Sequence, residues 1–161
     1  MVAGIGNIFL GDDGFGVEVV RRLADEPMPD GVQVADYGTS GLHLAHDLLD
    51  GYDATILVDA AGMGSPPGTV YLVELGPSQR PSGERVPDAH GMQPDAVLDL
   101  VAMLGGDPGR VLLVGCEPAT IDHHVGLSRA VEGAVEQALQ LVRTLVREQM
   151  SGKTTTQKTE A

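Results

Sequence analysis

The residues of this chain that could do chemistry are a pair of adjacent aspartates, a third aspartate and a histidine, from three separate segments. Asp12 and Asp13 close the run Gly4-Ile5-Gly6-Asn7-Ile8-Phe9-Leu10-Gly11-Asp12-Asp13-Gly14-Phe15-Gly16-Val17, which follows a very short apolar stretch. Asp59 comes directly after Ala54-Thr55-Ile56-Leu57-Val58, and His90 ends a long segment rich in proline and glycine. One imidazole, His90, with two carboxylates, Asp59 and one of the pair Asp12 and Asp13, makes a mixed nitrogen and oxygen donor set that suits a divalent transition metal. Three protein ligands leave positions open for water or for groups of a substrate. A glycine-punctuated loop between a strand and a helix ordinarily cradles phosphate. Two carboxylates in that loop would repel one, so the loop points to a cation.

Plainer roles compete with each of these. One of the pair Asp12 and Asp13 is expected to be an N-cap or a favourable first-turn charge, and a free carboxylate at Asp12 is the other candidate for a general base. Asp59 taken alone reads equally well as a solvated strand end or a backbone cap. A lone loop histidine is more often a surface residue than a ligand. His43 and His46 lie three apart on an expected helix and could share an ion, but they read better as ordinary residues flanking its apolar stripe. His123 and His124 are adjacent and point apart. Cys116, the single cysteine, excludes an internal disulfide and a Cys-x-x-Cys zinc site; at the end of an apolar strand it reads as an inert thiol. The chain has no Gly-x-Ser-x-Gly elbow, no His-Glu-x-x-His helix and no Walker motif.

The elements that position these groups alternate along the chain. A first strand covers Met1 to Ile5 and a helix runs from Gly14 to Asp25, with Val17, Val20 and Leu23 at helical spacing. Val32 to Asp36 alternates as a short strand, and Ser40 stands where a helix cap belongs. Leu42, Ala45 and Leu49 give the next helix its buried stripe. The unbroken apolar run Ala54 to Val58 marks a strand covered on both faces. Thr69 to Leu75 follows after too short a connection for a crossover helix, so it should run antiparallel to its predecessor. Gly76 to His90 is the one long loop. Pro94 opens a helix with Ala96, Val97, Leu100, Val101 and Leu104 on its apolar face. Val111 to Gly115 is a second apolar strand, and Ser128 caps a final helix reaching Gln149. The pattern predicts a three-layer α/β/α sandwich around a mostly parallel five-stranded sheet with one antiparallel strand. It forms a single domain over residues 1–149, with a disordered polar tail at 150–161. In such a sheet, functional groups gather at the carboxyl ends of the parallel strands.

With 161 residues, 42% hydrophobic, the chain suits one domain with a sizeable core. A net charge of −13, with three Tyr, two Phe and no Trp, argues against nucleic acid and against an anionic membrane surface. No signal peptide or membrane-spanning run is visible, so a cytoplasmic location is the simplest expectation.

Taken together, five segments resemble the hydrogenase maturation endopeptidase family. They are Gly4 through Val17, Asp36-Tyr37-Gly38-Thr39-Ser40-Gly41, Val58-Asp59-Ala60, His90-Gly91-Met92, and Leu113-Val114-Gly115-Cys116-Glu117-Pro118 with Val125-Gly126-Leu127-Ser128. The resemblance covers nearly all of residues 1–148. It implies an endopeptidase that removes a C-terminal extension from the large-subunit precursor of a nickel–iron hydrogenase after nickel insertion, with that nickel as recognition element and no organic cofactor. It also implies that the family's acidic, aspartate and histidine ligands correspond to Asp13, Asp59 and His90. One departure is the short first strand, which leaves a frayed edge or a start upstream as expectations. Two other readings share the same donors: a resident-metal, zinc-type peptidase and a non-enzymatic nickel-binding domain.

Overall fold

The computed structural model describes residues 1–75 and 94–159, from 153 onward as backbone. The expected long loop and His90 therefore lie outside the described residues. Five strands form one sheet: β1 (Val2–Ile5), β2 (Val34–Gly38), β3 (Ala54–Ala60), β4 (Val70–Leu75) and β5 (Arg110–Cys116), in the order β2-β1-β3-β5-β4. All neighbouring pairs are parallel except β4 with β5. The helices are α1 (Phe15–Ala24), α2 (Gly41–Leu48), α3 (Pro94–Met103), α4 (Arg129–Glu132) and α5 (Val135–Thr159), and a 3₁₀ turn at Gly11–Gly14 precedes α1.

Strand alternation divides the apolar residues between two cores. Ile56 and Val58 of β3 join Phe15, Val19, Val20 and Leu23 of α1 and Ala138 and Val142 of α5. Leu57 faces the other way and joins Leu44 and Leu48 of α2 with Val97, Leu98 and Val101 of α3. Helices thus cover both faces, and the expected three layers are present. The first strand is short but not frayed. It is hydrogen-bonded on both sides, all four of its residues are buried, and the Met1 amino group donates to the Ala54 carbonyl at 3.0 Å.

Several local expectations are corrected. β2 sits two residues later than its apolar alternation suggested. β4 does run against β3, but its ladder partner is β5, which lies between them. In α2 the buried stripe is Leu44, Ala45 and Leu48, whereas Leu42 and Leu49 are exposed. Leucines at 42, 44, 48 and 49 offer two stripes, and the Tyr37 hydroxyl donating to Asp47 at 2.7 Å favours one rotation of the helix. Leu98 of α3 is buried, and Leu104 lies one residue past the helix and is exposed. Ser128 caps only the short α4, which Gly133 terminates before α5 begins. α5 then continues to Thr159, through the stretch expected to be a disordered tail. Extending a helix already anchored by packing is far easier than starting one, so polar residues can follow its last apolar turn.

Candidate active site

The glycines of the first loop work by close packing. A Cβ on Gly16 would lie 2.0 Å from the Val58 carbonyl oxygen and 2.6 Å from that of Ile5; one on Gly4 would lie 2.4 Å from the Gly16 carbonyl oxygen. The start of α1 therefore rests directly on the backbones of β1 and β3. Gly6, at φ 137°, has the Asp13 carbonyl oxygen 1.9 Å from where a Cβ would stand. Replacing the side chains by hydrogen is what lets the 3₁₀ turn carrying Asp12 and Asp13 sit against the carboxyl ends of these strands.

Asp13 is half-buried, and its Oδ2 accepts the Asn7 backbone N–H at 2.8 Å. The Asn7 side chain in turn accepts the Phe9 N–H at 2.9 Å, so the loop that orients Asp13 is itself held. Asp59 is 6% exposed and is the penultimate residue of β3. Burial raises its pKa well above the ordinary 3.8, the Asp13 charge raises it further, and the Ala60 N–H pulls the other way. A desolvated carboxylate facing a second negative charge is a site that a divalent cation relieves, because the ion replaces both the lost hydration and the repulsion.

One wall of this site was not legible beforehand. Asp59, Gly115 and Tyr71 stand in one row across β3, β5 and β4. The Tyr71 ring fills the space a Gly115 side chain would take, with two ring carbons 2.3 and 2.4 Å and the hydroxyl oxygen 2.5 Å from an added Cβ. Its hydroxyl donates to the Ala61 carbonyl at 2.7 Å. Burial, then the Asp59 charge, pushes the Tyr71 hydroxyl up to about 12. Tyr71 thus lies over Gly115, on the face of the sheet that Asp59 shares. Its position depends on the β4–β5 register, which strand patterning leaves open.

Asp12 has a different task from its neighbour. Its side chain is fully buried. Oδ2 accepts the N–H groups of Ala119 at 2.8 Å and Thr120 at 3.1 Å and the Ser128 hydroxyl at 2.8 Å; Oδ1 accepts the Ser128 N–H at 2.7 Å. Burial alone would raise its pKa, but bonds from Ser128, Thr120 and Ala119 outweigh this and hold it below 3.8. A carboxylate with four donors is not available as a base, so the alternative role for Asp12 is corrected: it ties the loop after β5 to the loop after β1. Backbone bonds complete the seam, from Gly11 N–H to the His124 carbonyl, His124 N–H to Phe9 and Asp12 N–H to Thr120.

The third expected ligand, His90, lies outside the described residues, and among the described residues no group of three His, Cys, Asp or Glu side chains is placed to hold an ion. His43 and His46 are exposed on α2, each 3.6 Å from Asp47, and belong to no group of three ligating side chains among the described residues. His123 and His124 are exposed. Cys116 is fully buried, and burial, with the charges of Asp12 and Glu117, pushes its thiol up to about 11, which suits an inert packing role. A cleft of about 840 Å³ opens at the amino edge of the sheet, lined by Met1, Tyr52, Arg110 and Met150 among others; it is at the opposite end from Asp13 and Asp59.

Comparison with known proteins bears on the family and the fold. The profile of the hydrogenase maturation protease family matches residues 17–145. The hydrogenase expression/formation protein HupD of Thiocapsa roseopersicina is 36% identical over 146 residues, an alignment covering 87% of this chain and 66% of HupD. The chain thus spans just under two thirds of that relative's length. The hydrogenase 2 maturation protease of Escherichia coli K12 is 32% identical over 157 residues, covering 92% of this chain and 90% of that protein. The solved structure of the hydrogenase maturating endopeptidase HybD from E. coli superposes with a TM-score of 0.77 at 30% identity, covering 92% of this chain and 91% of HybD.

Proposed function

Because this chain belongs to the hydrogenase maturation protease family, we propose that it is an endopeptidase removing the C-terminal extension of a nickel–iron hydrogenase large-subunit precursor. In this reading cleavage follows nickel insertion, and the nickel carried by the precursor is the element recognised. The observation that supports it most is the carboxylate pair. Two unlike chain segments bring Asp13 and Asp59 to one strand end, where burial and mutual repulsion disfavour both being charged without a cation.

Asp13, Asp59 and His90 supply the donors. Carboxylates and imidazole both suit nickel. Asp13 is kept in place by the Asn7 N–H, and Asp59 by its place in β3 beside β5. Burial and the Asp13 charge raise the Asp59 pKa in the free enzyme, and an ion engaged there opposes that shift. An ion held by these donors would supply Lewis-acid chemistry, either at the scissile carbonyl or on a water. Work in the cytoplasm is part of the same reading; among the described residues no helix is long and apolar enough to cross a membrane.

Incubation of the purified protein with nickel-loaded precursor, followed by a mobility shift, tests the reading. Cleavage is expected, and precursor from nickel-starved cells is expected to stay uncut. Asp13→Ala, Asp59→Ala and His90→Ala should each abolish processing while remaining folded; full cleavage by all three would remove the metal-docking role. Metal analysis separates a resident-metal peptidase, which would purify with about one equivalent of ion bound.

A further inference from the structure

The carboxylate pair is bordered by apolar side chains exposed to solvent. Phe9 is 63% exposed, Met63 61%, Ile121 47% and Val125 68%. They lie on the loops that follow β1, β3 and β5, three neighbouring parallel strands, so all are at the same edge of the sheet as Asp13 and Asp59. The loops after β1 and β5 bond to each other across the end of the intervening β3. His124 donates to the Phe9 carbonyl at 3.1 Å, and Leu10 forms a bridge with His124. Met63 is tied to the same assembly, its N–H donating to Glu117 Oε2 at 2.6 Å.

We propose that Phe9, Met63, Ile121 and Val125 form the docking platform for an apolar surface of the protein substrate. The inference rests on the endopeptidase reading above. A polypeptide whose scissile bond reaches Asp59 must cover the loops around that strand end, so the platform is continuous with the site. The exposure is also costly for the free protein: a chain of net charge −13 has ample polar residues for its loops, yet places large apolar ones here. Exposed apolar groups gathered beside a site mark an interaction surface. The platform is held before the substrate arrives, because the Asp12 carboxylate and the backbone seam fix the loop carrying Ile121 and Val125. Preorganisation of this kind spares the ordering cost on binding.

The test compares initial cleavage rates over a range of nickel-loaded precursor concentrations for the wild type, a triple variant Phe9→Ser/Ile121→Ser/Val125→Ser, and a control Leu72→Ser/Met103→Ser. Leu72 and Met103 are also exposed but lie on β4 and α3. The expected result is a KM raised about tenfold or more in the triple variant, with the smaller change in kcat, and a wild-type KM in the control. A wild-type KM in the triple variant, or a loss confined to kcat, overturns the platform while leaving the endopeptidase reading standing. A wild type that cuts no precursor overturns both. Sedimentation showing a wild-type dimer that the triple variant dissociates, with KM unchanged, assigns the surface to a second copy of the chain and also overturns the proposal. Should the triple variant melt early, Phe9→Ser and Val125→Ser singly decide by the same KM criterion.

Discussion

Replacing Asp12 by Asn separates a structural carboxylate from a catalytic one. In the wild type, Oδ2 receives three donors and Oδ1 one, all at 3.1 Å or less. An asparagine can turn its carbonyl toward the three donors, but its amide nitrogen then faces the Ser128 N–H, donor against donor. The variant loses one charge-assisted bond outright and weakens the others. Hydrogen bonds to a charged group contribute about 1.5–3 kcal/mol each, and the terms are not additive within one network. The expected loss is therefore about 3 kcal/mol, a large share of the roughly 5–15 kcal/mol that holds a domain together. At about 2–4 °C per kcal/mol for a chain of this size, the melting temperature should fall by about 6–12 °C. The pH dependence has a definite sign. The folded pKa of Asp12 lies below 3.8, so its contribution is complete above that value and is lost as pH falls through the folded pKa. Below that range wild type and variant should converge. Thermal melts across pH, with amide hydrogen exchange at Ala119, Thr120 and Ser128, measure this. A variant that melts with the wild type at pH 7, keeps those amides protected and yet cuts no precursor would refute the structural assignment and restore Asp12 as a base.

Three further outcomes follow from the same geometry. Gly16→Ala places a methyl group 2.0 Å from the Val58 carbonyl oxygen and should cost about 3 kcal/mol or more, seen in soluble yield and urea denaturation. Asp59→Asn should abolish cleavage yet raise the melting temperature of the metal-free protein at pH 7 by several degrees, on the order of 1–2 kcal/mol. The sign follows from a folded pKa raised above 3.8: the fold favours the neutral form, loses that advantage as pH rises, and the amide retains it. An unchanged or lower melting temperature would contradict the buried, repelled carboxylate. Cys116→Ala should keep cleaving precursor while losing about 1–2 kcal/mol in chemical denaturation, and loss of activity with the fold intact would point to a thiol nucleophile.

Much of the fold was legible before the coordinates. The unbroken apolar run Ala54 to Val58 and the run Val111 to Gly115 could only be strands covered on both faces, which requires helices above and below. The short connection before Thr69 required a reversal of direction. The amphipathic helices were harder, because α2 carries leucines enough for two stripes, and contact with β2 through Tyr37 and Asp47 selected between them. The break between α4 and α5 was missed because Gly133 is tolerated in either a helix or its end.

By itself, the sequence determined that acidic groups would arrive at the carboxyl ends of parallel strands, since chain direction and apolar patterning dictate where those ends lie. Tertiary structure alone decided which of two adjacent aspartates is saturated with donors and which one faces Asp59. Asp12 and Asp13 are the same residue in the same turn, and no local rule distinguishes them. The loop after β5, more than a hundred residues away, saturates one carboxylate with donors, while the end of β3 confronts the other with Asp59. Partners so distant in the chain are brought together only by closure of the sheet, so their effect on a charge is a property of the fold.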